Sequence, residues 1–201
     1  MTYREFTCAF AFAALISTGC LGAKGRVEAP ELDPEKMTQG AMEMCDANKD
    51  GFIDKTEVKE SPALDFAFED LDVDSDKKIS ENELLERFKL YVETAVGLQS
   101  VQMTILNRRG MGIQGATVRL VPEPFMADYI EEANGSILDL EGMVQVQTLE
   151  SDPGVRVGMY RLEVTSDDVK IPSKYNTETK WGIEVAPVTS KASANLRFTV
   201  K

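Results

Sequence analysis

Two stretches of this chain carry oxygen-bearing side chains at alternating positions. In DANKDGFIDKTE, residues 46–57, Asp46, Asn48, Asp50 and Asp54 fall at positions one, three, five and nine, with Gly51 at six and Glu57 at twelve. A hard divalent cation of calcium's size takes six to eight oxygens at about 2.3–2.6 Å, and a tight loop that turns alternate side chains inward supplies them. In such a loop Phe52 adds its backbone carbonyl, Glu57 offers two carboxylate oxygens, and Asp54 acts directly or through a water. The competing reading, a solvated acidic turn, gives no reason for a glycine at six together with a glutamate at twelve.

DVDSDKKISENE, residues 72–83, repeats the pattern with Asp72, Asp74, Asp76, the carbonyl of Lys78, Ser80 and Glu83. It departs only at the sixth position, where Lys77 replaces glycine. That position needs a left-handed backbone, which glycine adopts freely and other L-residues adopt at about 1–2 kcal/mol. The cost corresponds to a roughly 5- to 30-fold loss of affinity. The expectation is a weaker second site that still works.

Helices must flank these loops to position them. Met42 and Cys45 precede Asp46 by four and one residues, and Phe68 and Leu71 stand in the same relation to Asp72. Ile53 and Ile79 share one loop position, and the whole unit repeats at 26 residues, from Asp46 to Asp72. Asp33-Pro34 predicts a helix start, an N-cap followed by proline at the first helical position. Pro62 divides residues 58–71 into two short helical pieces. This pair of helix-loop-helix units resembles the EF-hand family, and the resemblance implies Ca2+ as ligand and a short antiparallel bridge between the two isoleucines. Dockerins also space two such loops closely, but they usually lack an entering helix and end their loops in Asp. With so little helix to swing, a structural role for calcium is expected rather than the opening of a Met-rich groove. Met37, Met42 and Met44 are read as core.

A formal net charge of -12 argues against a nucleic-acid partner and suits cations. The chain has no histidine, so any catalytic proposal must work without imidazole.

Residues 1–19 have the grammar of a signal peptide: a short head with Arg4, an apolar run too short to span a bilayer, then small residues. Ile16 to Cys20 resembles a bacterial lipobox, which implies lipidation at Cys20, export to the cell envelope and anchoring to a membrane. Ordinary secretion with cleavage near Ala23, or an uncleaved segment, are the alternatives. Residues 20–33 read as a tether. With Cys8 and Cys20 so assigned, Cys45 is the only other cysteine, and it is read as a buried core residue.

After an amphipathic helix carrying Leu84, Leu85, Phe88, Tyr91 and Val92, the period changes from helical to alternating. Val101, Met103 and Ile105 alternate with polar residues, as do Ala116, Val118 and Leu120, and the pattern returns in VQVQT, YRLEVT, WGIEV and LRFTV. Clusters such as RRGMGIQG, ANGS, ESDPG and TSDD are read as turns. The segments Gly115 to Pro122, Gly158 to Tyr160 and Ile171 to Tyr175 are similar to carboxypeptidase regulatory-like, transthyretin-like domains, a likeness covering roughly residues 99–201 that speaks to fold and not to chemistry. The expected fold class is therefore α+β in two domains, an EF-hand pair over 34–96 followed by an antiparallel β-sandwich over 99–201. FMADYIEEA reads as an insertion without an assigned purpose.

No catalytic set emerges. Ser75 to Lys78 spells S-x-x-K inside a cation loop, Asp128, Glu131 and Glu132 read as a solvated face, and Tyr175 with Trp181 as core or strand edge. The expectation is a calcium-binding exported lipoprotein without enzymatic activity. The alternative is a calcium-dependent module that docks a protein or glycan through the helical or the sheet part.

Overall fold

The computed structural model describes residues 26–186 and 196–201; the assignments to Cys8 and Cys20 lie outside the described residues. The architecture is α+β. Helix α1 (Pro34–Cys45) begins where the proline predicts, with the Asp33 carboxylate accepting the Lys36 N–H at 3.1 Å. Strand β1 (Phe52–Asp54) pairs antiparallel with β2 (Lys78–Ser80), placing Ile53 opposite Ile79. Between them lie a 3-10 turn over Val58–Glu60 and helix α2 (Pro62–Leu71), capped by the Ser61 hydroxyl. Helix α3 (Glu81–Thr94) opens on a reciprocal capping box of Ser80 and Glu83.

The remaining strands are β3 (Gln102–Asn107), β4 (Thr117–Pro122), β5 (Ala133–Ser136), β6 (Met143–Gln145), β7 (Gly158–Thr165), β8 (Gly182–Val185) and β9 (Leu196–Val200). They form one sheet ordered β6-β3-β9 and another ordered β5-β4-β7-β8. Two expectations are corrected here. The smaller sheet is mixed, because β9 returns from β8 in the other sheet and lies parallel to β3. ANGS is not a turn but the whole of β5, paired with β4. A Cβ on Gly135 would press on the Gln145 carbonyl and the Val144 side chain, so glycine here serves close approach of neighbouring strands.

The change of period near residue 97 is not a break in packing. Buried side chains of all three helices and of both larger sheets belong to one contiguous core. Gly182 of β8 lies so close to the backbone of Pro62 and Ala63 that a Cβ there would collide with it. Phe125, in the segment read as an insertion, packs its ring 6.0 Å from that of Phe88 and touches Gly40. The segment thus packs against α1 and α3 through Phe125. Residues 26–33, expected to be a tether, also lie on the protein: Arg156 donates to the carbonyls of Glu28 and Gly97, and Leu32 packs on the core.

Two buried carboxylates join the helices to the strands. Glu184 of β8, 2 % exposed, receives two hydrogen bonds from Arg87, at 2.6 and 2.7 Å, and a third from the Tyr91 hydroxyl. Glu123, just beyond β4, accepts the Ala63 N–H at the start of α2. Burial pushes the Glu123 carboxyl above its ordinary range, and Arg161 stands 3.8 Å away. Cys45 is 1 % exposed and its thiol is pushed up to about 12, foremost by burial, as suits core filler.

Candidate metal centre

The two acidic loops share one hydrogen-bond frame. In the first, Asp46 accepts the N–H groups of Asp50 at 3.2 Å and Gly51 at 3.0 Å; in the second, Asp72 accepts those of Asp76 and Lys77, both at 3.0 Å. The third-position side chains, Asn48 and Asp74, each accept the N–H of the fifth residue. The seventh-position N–H groups, of Phe52 and Lys78, donate to Asp50 and Asp76. Each loop therefore winds its backbone around the oxygens of positions one, three and five. In the second, Asp72, Asp74 and Asp76 each present an oxygen within 4.8 Å of the others.

The twelfth-position glutamates fold back over their loops. Glu57 accepts the N–H groups of Asn48 and Asp54, and Glu83 those of Val73 and Ser80. Partial burial would raise the Glu83 carboxyl, but the donors at Ser80 and Val73 outweigh it and hold the group below its ordinary range. The ninth positions do something the spacing did not reveal. Asp54 caps the turn that follows, accepting from Thr56 and the Glu57 N–H, and Ser80 caps α3. Both side chains position Glu57 and Glu83 as much as they offer oxygens to a cation.

Backbone geometry explains the turn residues. Gly51 has φ +84° and Lys77 has φ +70°, so the lysine occupies the strained left-handed conformation that the sixth position demands. Lys49 and Ser75, both at position four, are left-handed too, at φ +60° and +62°. Ser75 is an exposed turn residue within the loop. Lys77→Gly is expected to tighten calcium at the second loop by about 5- to 30-fold, read from a calcium titration.

The donor set is oxygen throughout. Cys45 points into the core and the chain lacks histidine, so these residues fit a hard cation and not a thiophilic one. Of the other residues singled out in the sequence, Glu131 and Glu132 are exposed partners of Arg156 and Arg119. Tyr175, Trp181 and Phe198 form a row of aromatic contacts with centroids 4.6 and 5.1 Å apart. Among the described residues no helix is long and apolar enough to cross a membrane. Comparison of the chain with protein-family models, with curated proteins and with solved structures gives no match.

Proposed function

We propose that this chain is a calcium-binding protein in which two EF-hand loops, formed by Asp46, Asn48, Asp50, Phe52, Asp54 and Glu57 and by Asp72, Asp74, Asp76, Lys78, Ser80 and Glu83, hold a helical domain against a β-sandwich. The observation that carries the reading is the frame of backbone N–H donors repeated in both loops, with the oxygens of Asp72, Asp74 and Asp76 converging in the second. Each loop places four carboxylates at ligand positions, Asp46, Asp50, Asp54 and Glu57 in one and Asp72, Asp74, Asp76 and Glu83 in the other. Their mutual repulsion destabilises the fold until a cation offsets it.

A structural role follows from how the flanking helices are held. Helix α2 is capped by Glu123 at its start, and α3 is gripped by Glu184 through Arg87 and Tyr91. Opening the second loop's helices would strip partners from both buried carboxylates. Calcium therefore stabilises one arrangement, and no enzymatic activity is assigned. The lipobox-like run ending at Cys20 adds that the protein works outside the cytoplasm on a membrane anchor, where sites of about 10⁻⁴–10⁻³ M affinity fill.

Thermal unfolding with and without calcium tests this reading. Calcium at 100 times Kd should add about 2.7 kcal/mol per site, and helix and sheet signals should shift to higher temperature together. A midpoint identical in calcium and in chelator would refute it.

One observation favours the alternative of calcium-dependent docking. A surface groove of about 540 Å³ where β5 approaches β6 is lined by Gln102, Asn134, Gln145 and Gln147, beside the exposed Leu138 and Met143. Neutral amides next to exposed apolar side chains suit a protein or glycan surface. Capture of a partner only in calcium would support docking.

A further inference from the structure

Position seven of each loop lies on the bridge between the loops, and its side chain differs sharply between the two. Phe52 holds it in the first loop and Lys78 in the second. The Lys78 main chain belongs to the second loop, but its side chain reaches across to the first. From its place opposite Asp54 it runs past the Phe52 ring, with the ammonium 4.8 Å from the ring centroid, and ends 3.1 Å from Asp50 Oδ2. Asp50 is the fifth-position oxygen donor of the first loop.

We infer that Lys78 sets the calcium affinity of the first loop from within the second, its ammonium competing with the metal for the Asp50 carboxylate. The inference rests on the reading of the first loop as a calcium site. A carboxylate that already holds a cation attracts a second one less strongly, and the two cations repel each other across it. Among the described residues the second loop has no matching ion pair. Its seventh-position partner is the neutral Phe52, and among the described residues no lysine or arginine forms an ion pair with Asp72, Asp74 or Asp76.

The consequence runs against the glycine pattern. Gly51 favours the first loop and Lys77 handicaps the second, but Lys78 handicaps the first, so the two affinities lie closer together than the turn residues alone imply. Of the two lysines within the first loop, Lys55 is directed elsewhere, pairing with Asp65 at 3.7 Å and sitting over the Phe68 ring, and Lys49 forms no ion pair among the described residues.

Calcium titrations in a Glu83→Gln background, where the second loop is disabled, isolate the effect. Lys78→Met should tighten the remaining site about 10-fold, and Lys78→Arg, which keeps the charge, should leave it near the parent value. Lys78→Gln serves as a second neutral variant if circular dichroism shows that the methionine protein is not folded. Equal affinities for the neutral variants and the parent would overturn the inference while leaving the first loop a calcium site. Absence of any calcium uptake by the Glu83→Gln parent would overturn the reading of that loop and the inference with it.

Discussion

Arg87→Ala is expected to remove about 3–5 kcal/mol of stability, because it strips a buried carboxylate of its charged partner. The side chains of Arg87 and Glu184 are 14 % and 2 % exposed, and the guanidinium grips both carboxylate oxygens. Burial alone would lower the Arg87 pKa, yet the hydrogen bonds and charge of Glu184 carry it above the ordinary value. With the guanidinium gone, only the Tyr91 hydroxyl would remain on Glu184. A loss of this size is a large share of the roughly 5–15 kcal/mol that holds a typical domain together. Removing all three polar groups, by Arg87→Met, Tyr91→Phe and Glu184→Leu together, should restore most of the loss, since no buried charge is then unpaired. Urea unfolding of the two variants beside the parent measures both. A single variant within about 0.5 kcal/mol of the parent would show that this pair does not fasten the helices to the sheet.

The second large effect is on the metal. Glu83→Gln replaces a charged two-oxygen ligand by a neutral amide whose NH₂ group cannot coordinate a cation. Calcium at the second loop should be nearly abolished, and Glu57→Gln should do the same at the first. The glutamine can still accept a hydrogen bond from Val73 or Ser80, so the loop's frame survives better than the site does. The contrast between a folded protein and a lost site separates a ligand from a merely structural residue.

The sequence made some of this legible and hid the rest for physical reasons. Asp33-Pro34 and Pro62 announced two of the helices because such start signals are local, decided within four residues; the Ser80–Glu83 box is equally local, but in the sequence both residues read only as cation ligands. The pairing of Ile53 with Ile79 is expected only from the resemblance to paired EF-hand loops, and the two residues do stand opposite each other. Strand β5 was hidden because Ala133–Ser136 has turn composition, and pairing with β4 overrides it. The alternation in WGIEV places Glu184 on a polar face, but that face is covered by the helices, so every residue of β8 is buried. No local pattern can report such docking. A glutamate opposite two apolar positions in a strand is a weak hint, and it becomes informative only when an arginine and a tyrosine four residues apart on an amphipathic helix are available to meet it, as Arg87 and Tyr91 are. The lysine at position 78 was legible as a carbonyl donor; its reach to Asp50 depends on the pairing register of β1 and β2.

The most direct measurement is calcium binding by isothermal titration of the purified chain after chelation, with the Glu57→Gln, Glu83→Gln and double variants titrated alongside. Two calcium ions per parent chain, one for each single variant and none for the double variant are the predicted counts. A parent chain that binds no calcium, or variants that bind as many ions as the parent, would contradict the account.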